Sequence, residues 1–347
     1  MTAPGLAAVL ANCTPFAIPL VTNFRGITHR EGVLIVGPSG TGEFAPFLEH
    51  DDATAARWLA SAIEAAWGHW PQAHRSEVPV NAIIPAVAAD QAAAMTEQAL
   101  REHGSMTVKV KVAAPGQTLA DDLARVEAVR RAQRSHPHRG ISEFQIRIDV
   151  NGVWGVTEAV TAIRELNVVA GGLEYVEQPC ATLDELAQVR ARVEVPIAAD
   201  ESIRTSADPK RAVTSGAVDI IVIKVPPLGG VNRALEICDQ AAVPVVVSGA
   251  MDSSVGLASG IALAAALPDL PYACGLGTGA LLVADVVDDP IVPSNGMLTV
   301  GRIEPDPDAL AAAADRMDAE RSQWWRDRLE RAWHSGGQDL VGSLIKA

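Results

Sequence analysis

The chain has 347 residues, 48% hydrophobic and 20% charged, too long for one small domain and ample for a large α/β core with an added unit. A formal charge of −14 argues against nucleic acid or an anionic membrane as the main partner, while leaving the sign of a small pocket open. Four scattered cysteines without a CxxC pair read as reduced thiols of a cytoplasmic protein, and neither a leader peptide nor an apolar run long enough to span a membrane is visible.

In chain order, the first 90 residues differ from the rest. Strand-like "FAIPL" and "GVLIVG" precede a helical pattern around "DATAARWLASAIEAAWGHW", which predicts an α+β capping domain over residues 1–90. Within it, "GVLIVGPSGTGEF" imitates a phosphate-binding loop through Gly37, Gly40 and Gly42. Glu43, however, stands where the phosphate-binding lysine belongs, and "FAPF" reads as a turn into a loop. Phe16, Ile18 and the loop through Asn23, Arg25 and Gly26 are candidates for a lid.

From about residue 107, short β-branched runs alternate with amphipathic stretches. "TVKVKV", "FQIRIDV", "GLEYVEQ", "PIAAD", "VDIIVIKV" and "VPVVVSG" read as strands. "TLADDLARVEAVRRAQRS", "TEAVTAIRELNVV", "TLDELAQVRARV", "SADPKRAVTSG" and "NRALEICDQA" read as helices between them. At least six such units imply a parallel sheet, and a closed (β/α) barrel over residues 91–300 fits them better than two open halves. "RRAQRSHPHRG" reads as a helix end and loop in solvent. Residues 301–347 form a C-terminal segment ending in one charged helix, "DALAAAADRMDAERSQWWRDRLERAW", whose Trp325, Leu329 and Trp333 share a face and read as core.

The run "TVKVKVA" raises the question of function. Lys109 and Lys111 share one face of a strand and the valines share the other. In a parallel barrel both faces are covered, so the valines belong under the helices and the lysines inside the barrel. Buried ammonium groups require anions nearby. Each following strand ends in one: Asp149, Glu177 and Asp200, spaced by 28 (149 to 177) and 23 residues (177 to 200), about one βα unit each. Three acids side by side at the carboxyl ends of barrel strands repel unless a divalent cation lies between them. Hard oxygen ligands favour Mg²⁺, with Mn²⁺ as a substitute. Lys224 then ends its own strand 24 residues on (200 to 224), across the site from Lys111.

These pieces, "VKVKVA", "RIDVNGVW", "LEYVEQPC", "IAADESIR", "IVIKVPPLGG" and "VVVSGAMDSSVGLA", resemble the enolase superfamily, in its muconate-lactonizing-enzyme-like branch with a lysine on each side of the metal. "GPSGTGEFAPFLE" and "VPVNAIIPAV" extend the resemblance over nearly the whole chain. It implies a modified TIM-type barrel with an N-terminal capping domain. It also implies that Asp149, Glu177 and Asp200 bind Mg²⁺ and that Lys111 and Lys224 flank the reacting carbon. A lysine or histidine base with a metal-stabilised ene-diolate is the general scheme of that superfamily. The histidine branch is not matched, since none of the eight histidines falls on a barrel strand.

The implied activity is dehydration of a hydroxycyclohexadiene carboxylate to its succinylbenzoate, with a small-molecule carboxylate as the partner and the oligomeric state, monomer included, left open. Lys111 is expected as the base, with burial and Lys109 lowering its pKa. Arg147 and Asn151 are expected to touch the substrate or orient Asp149. Ser248, Gly249 and the Gly275–Gly279 loop are expected to offer donors to a second carboxylate. N-succinylamino-acid racemization or dipeptide epimerization on the same scaffold is the main alternative, because two lysines on opposite faces also suit acid–base exchange. Muconate cycloisomerization, nucleotide binding through the Gly37–Gly42 run, and a binding module that has lost its chemistry are further rivals.

Overall fold

The computed structural model describes residues 3–24, 26–135, 144–204, 209 and 214–344. Strands β1 (Cys13–Phe24), β2 (Ile27–Gly37) and β3 (Gly40–Phe44) form an antiparallel sheet in that order, and the helix Asp52–Trp67 packs across it. Asp51 starts this helix by accepting a hydrogen bond from the Thr54 N–H at 2.8 Å. The run that imitates a phosphate loop is therefore a hairpin, with Gly37 paired to Gly40 and Val33 to Phe44. Its glycines serve packing: a Cβ on Gly42 would lie 1.9 Å from the Ala62 carbonyl oxygen of the helix, and one on Gly37 2.3 Å from that of Ala66.

Short β4 (Glu77–Pro79) leads into the barrel, made of β5 (Ala82–Ile84), β6 (Thr107–Lys111), β7 (Gln145–Asp149), β8 (Tyr175–Glu177), β9 (Ile197–Ala199), β10 (Ile220–Ile223) and β11 (Val245–Val247). These seven strands pair in chain order, all parallel. The segment Cys274–Gly275 completes the ring. Cys274 bridges Val80, Gly275 bridges Ser248, and the Gly275 N–H donates to the Val247 carbonyl at 2.8 Å. The expected barrel with an α+β cap is what the chain forms. Its sheet takes in β5, upstream of the boundary at residue 91 drawn from sequence. A last strand, β12 (Met297–Thr299), pairs with β4.

Val108, Val110 and Val112 pack with Ile146 and Ile148 in the layer under the helices. Tyr175, Ala198, Ile220, Val222 and Val246 fill the barrel interior. The face assignment made for the lysine-bearing strand is thus the observed one.

The C-terminal segment differs from its expectation. The single charged helix is two, Pro307–Ala314 and Ala319–Ala332, because Asp318 caps the second by accepting from the Arg321 N–H. Trp325, Leu329 and Trp333 are buried against Val33, Ile35, Phe44 and Trp58, so the end of the chain belongs to the core of the cap. Among the helices not read from sequence, the two long ones are Ala89–His103 and Ser254–Ala266. The second is buried on every side and so carries no amphipathic period. Most of "SADPKRAVTSG", His136 and His138 lie outside the described residues. Among the described residues no helix is long and apolar enough to cross a membrane.

Candidate active site

Parallel pairing sets the side chains of β6, β7 and β8 in rows. Lys109 stands level with Arg147 and Tyr175, and Lys111 with Asp149 and Glu177. Asp200 follows β9 by one residue and Lys224 follows β10 by one, opening the short helix Val225–Leu228. The three acids are each 1% exposed. Lys109 Nζ lies 2.8 Å from a Glu177 oxygen and 3.1 Å from Asp149, Lys111 Nζ 2.5 Å from Asp149, and Lys224 Nζ 2.5 Å from Asp200. The structure therefore brings Lys109, Lys111, Lys224, Asp149, Glu177 and Asp200 into one buried group.

The electrostatics separate the two lysines of β6. Burial and the neighbouring Lys109 charge push Lys111 below the ordinary lysine range, against the pull of Asp149. Burial acts on Lys109 as well, but Glu177 and Asp149 hold it well above that range. Lys109 thus stays an ammonium, whereas Lys111 is the one moved toward neutrality. Burial and the Asp149 charge push Glu177 up to about 7. For Asp149 the upward effect of burial is outweighed by Lys111 and Lys109, and for Asp200 by Lys224 and Arg204, so both are held below the ordinary carboxylate range.

The donor set fits a hard divalent cation, being three carboxylates at adjacent strand ends. Asp200 Oδ1 is buried and makes no hydrogen bond among the described residues, with Arg204 Nε 3.3 Å away as its ionic neighbour. As the side chains stand, ammonium groups neutralise these acids, and no three of the described His, Cys, Asp or Glu residues converge on one point.

Asn151 lines the cavity and is an orienting group: its Oδ1 accepts from Lys111 Nζ at 2.9 Å and its Nδ2 donates to Glu201 at 3.1 Å. Arg147 departs from expectation. It is fully buried one layer below the acids, donating to Glu174 at 2.5 Å, to Tyr175 and Asn81 at 3.1 Å each, and to the Ala273 carbonyl at 2.7 Å. It is not among the residues that line the cavity, because a side chain two residues before Asp149 on the same face lies about 7 Å deeper in the barrel. Ser248 and Gly249 do line the cavity, but the Ser248 hydroxyl and the Gly249 N–H both donate to the Gly275 carbonyl, so these donors already serve barrel closure. Of the loop Gly275–Gly279, Gly277 and Gly279 allow close packing on Asn81 and Ile291. Thr278 lines the cavity, with its buried hydroxyl lacking a hydrogen-bond partner.

The proposed lid also differs. Phe16 and Ile18 are fully buried with Leu34, Val255 and Val286 where the cap sheet packs on the barrel side. Gly26 is an exposed turn residue, the side chain of Asn23 is not described, and Arg25 lies outside the described residues. The cap reaches the cavity through Phe47 and Trp58 instead. Sequence reading missed both, and Arg204 too, which pairs with Glu201 at 2.7 Å and lies 3.3 Å from Asp200. The signal for Phe47 was its place three residues past β3, a strand that periodicity did not reveal.

Comparison with known proteins agrees with this geometry. Residues 91–308 match the family described as enolase C-terminal domain-like, and residues 16–66 match enolase N-terminal domain-like. The chain is 50% identical over 330 residues to the o-succinylbenzoate synthase of Mycobacterium tuberculosis (strain ATCC 25618 / H37Rv), covering 95% of this chain and 96% of that protein. It is 52% identical over 323 residues to the o-succinylbenzoate synthase of Thermobifida fusca (strain YX), covering 91% and 97%. Among solved structures, the L-Ala-D/L-Glu epimerase of Bacillus subtilis superposes with a TM-score of 0.71 at 22% identity, covering 84% of this chain and 96% of that one. A muconate lactonizing enzyme of Mycobacterium smegmatis does so at 0.67 and 20%, covering 87% and 97%. At these identities the structures speak for the fold alone.

Proposed function

The chain belongs to the enolase superfamily and, within it, to the o-succinylbenzoate synthase family, and from that membership we propose its reaction and the roles of its residues. It is a lyase that removes water from 2-succinyl-6-hydroxy-2,4-cyclohexadiene-1-carboxylate to give o-succinylbenzoate, a step of menaquinone biosynthesis. The observation that carries the assignment of roles is the row Lys111–Asp149–Glu177, with Lys224 four strands from Lys111 around the barrel (β6 to β10) and both lysines lining the cavity.

Asp149, Glu177 and Asp200 would hold a divalent cation, for which we propose Mg²⁺, with Mn²⁺ as a substitute. When bound, the ion draws out negative charge developing on the substrate carboxylate as the adjacent C–H bond breaks. Lys111, kept toward neutrality by burial and by Lys109, takes the α-proton into its amine. The electron pair of the broken C–H bond moves first toward the carboxylate, then returns to form the ring double bond as the C–O bond breaks. The departing hydroxide takes the proton back from the Lys111 ammonium and leaves as water, so one amine acts as base and then acid on the same face. Lys224 stands over the opposite face as a fixed positive charge, available for a cation–π contact with the ring as it becomes aromatic. Asn151 orients Lys111, and Phe47 and Trp58 keep water from the reacting carbon. The four cysteines are buried and unpaired, which supports a reducing, cytoplasmic setting.

The direct test is conversion of the hydroxycyclohexadiene acid to the aromatic product, followed by mass spectrometry with and without Mg²⁺. Absence of product with the ion present overturns the reading. N-succinylamino-acid racemization or dipeptide epimerization remains a second reading on a specific observation, the two lysines facing one cavity. An assay of N-succinyl amino acids and dipeptides beside the cyclohexadiene acid separates the activities.

A further inference from the structure

The pocket's apolar wall is built from two separate parts of the molecule. Phe47 and Trp58 come from the cap, whereas Gly249, Ala250 and Met251 come from the loop after β11. One side chain joins them. Arg30, on β2 and only 2% exposed, donates from Nε to the Met251 carbonyl at 3.0 Å and from a terminal nitrogen to the Ala45 carbonyl. Its guanidinium lies 4.8 Å from the centre of the Phe47 ring and 5.9 Å from that of Trp58, and those two rings meet edge to face at 6.0 Å.

The barrel side of this joint is itself constrained. Met251 has φ +64°, a left-handed conformation that a side-chain-bearing residue holds only when its surroundings require it. Its neighbour Ala250 is held by an N–H donated to Asp252 Oδ2 at 2.7 Å. Glu43, from β3, accepts from the Ser253 N–H at 3.0 Å and from the Ser253 hydroxyl, so the cap grips the same loop a second time. Burial lowers the guanidinium's pKa, and the nearby Glu43 and Asp252 act against that cost. A planar fork can bind two carbonyls and lie on aromatic faces at once, which a lysine cannot do.

We propose that Arg30 is a positioning residue for the substrate: it ties the cap to the loop after β11, setting the distance between Phe47 and Met251 and hence the room for the substrate's carbon skeleton. It acts on binding rather than on proton transfer, because none of its described contacts is with Lys111, Lys224 or the three acids. The proposal rests on the functional reading given above for this pocket.

The test is steady-state kinetics of the full chain with the hydroxycyclohexadiene acid and Mg²⁺. Arg30→Lys should raise KM about tenfold, the size of one charge-assisted hydrogen bond, with kcat within about twofold. Phe47→Leu should raise KM in the same sense, and the double variant should be no worse than the poorer single one, because both remove the same wall. An unchanged KM in Arg30→Lys, additive effects, or a loss confined to kcat would overturn the proposal. If Arg30→Lys fails to fold, Phe47→Leu decides, since it keeps both hydrogen bonds of Arg30 and removes only the ring that the guanidinium lies against, and an unchanged KM there counts against the proposal. Inactivity of the unaltered protein in the same assay marks instead the failure of the functional reading, and this proposal falls with it.

Discussion

Two charged layers lie inside the barrel, two residues apart on the same strand. At the mouth, Lys109, Lys111 and Lys224 meet Asp149, Glu177 and Asp200. Below it, Arg147 meets Glu174 and two tyrosine rings, at 4.7 Å (Tyr175) and 6.0 Å (Tyr272). Both are buried groups that pair basic side chains with carboxylates. They differ in how their capacity is used. Arg147 donates to three side chains and a carbonyl and is closed in by aromatic rings. The mouth holds a lysine pushed below its ordinary range and a glutamate pushed up to about 7, and it opens on a cavity. The lower layer spends its charge on holding strands together. The upper one holds charge that chemistry can still move.

If that contrast is right, the largest effect belongs to the mouth. Lys111→Ala should lower turnover about 10³-fold or more and abolish exchange of the substrate α-proton with deuterated solvent, since general-base catalysis commonly contributes that much. Exchange persisting at the unaltered rate would remove Lys111 as base. Next, chelation should reduce turnover about 100-fold, with recovery on adding Mg²⁺ in excess, as expected where a bound ion stabilises developing charge. Activity indifferent to chelator would break the reading of the three acids.

The lower layer should answer differently. Arg147→Met should cost about 3 kcal/mol in urea unfolding, the usual result of breaking a buried pair, while kcat/KM stays within about tenfold. A larger loss of activity than of stability would merge the two layers into one. The smallest effect concerns another buried acid, at the joint of cap and barrel. Burial and the nearby Asp252 charge push Glu43 up to about 7 from an ordinary 4.5, with Arg30 and Ser253 acting in opposition. Between those pH values the folded chain keeps a proton that the unfolded chain releases, so stability falls as pH rises through this window. Glu43→Gln should remove about 1–3 kcal/mol of that fall. Parallel pH profiles of denaturant midpoint for the two proteins would contradict it.

Much of the mouth was legible because a parallel barrel turns sequence spacing into position. One βα unit between Asp149, Glu177 and Asp200 puts them on neighbouring strands, and the alternation in "TVKVKV" settles which face Lys109 and Lys111 take. Arg147 obeys the same alternation, yet its depth along the barrel axis, not its face, decides that it meets Glu174 and the tyrosines. Gly249 illustrates another limit: its N–H looks available in the sequence, but ring closure by Gly275 uses it.

The sequence by itself therefore determined the fold class, the charged residues of the mouth and their order around the barrel, since these follow from local periodicity repeated at a constant interval. Only the tertiary structure decided which residues wall the pocket. Phe47, Trp58 and Met251 lie more than 200 residues apart at the extremes (47 to 251) and meet through a buried Arg30 that no periodic signal marks. Contacts between separate units depend on how two finished surfaces dock, and nothing in the local pattern of either surface encodes that.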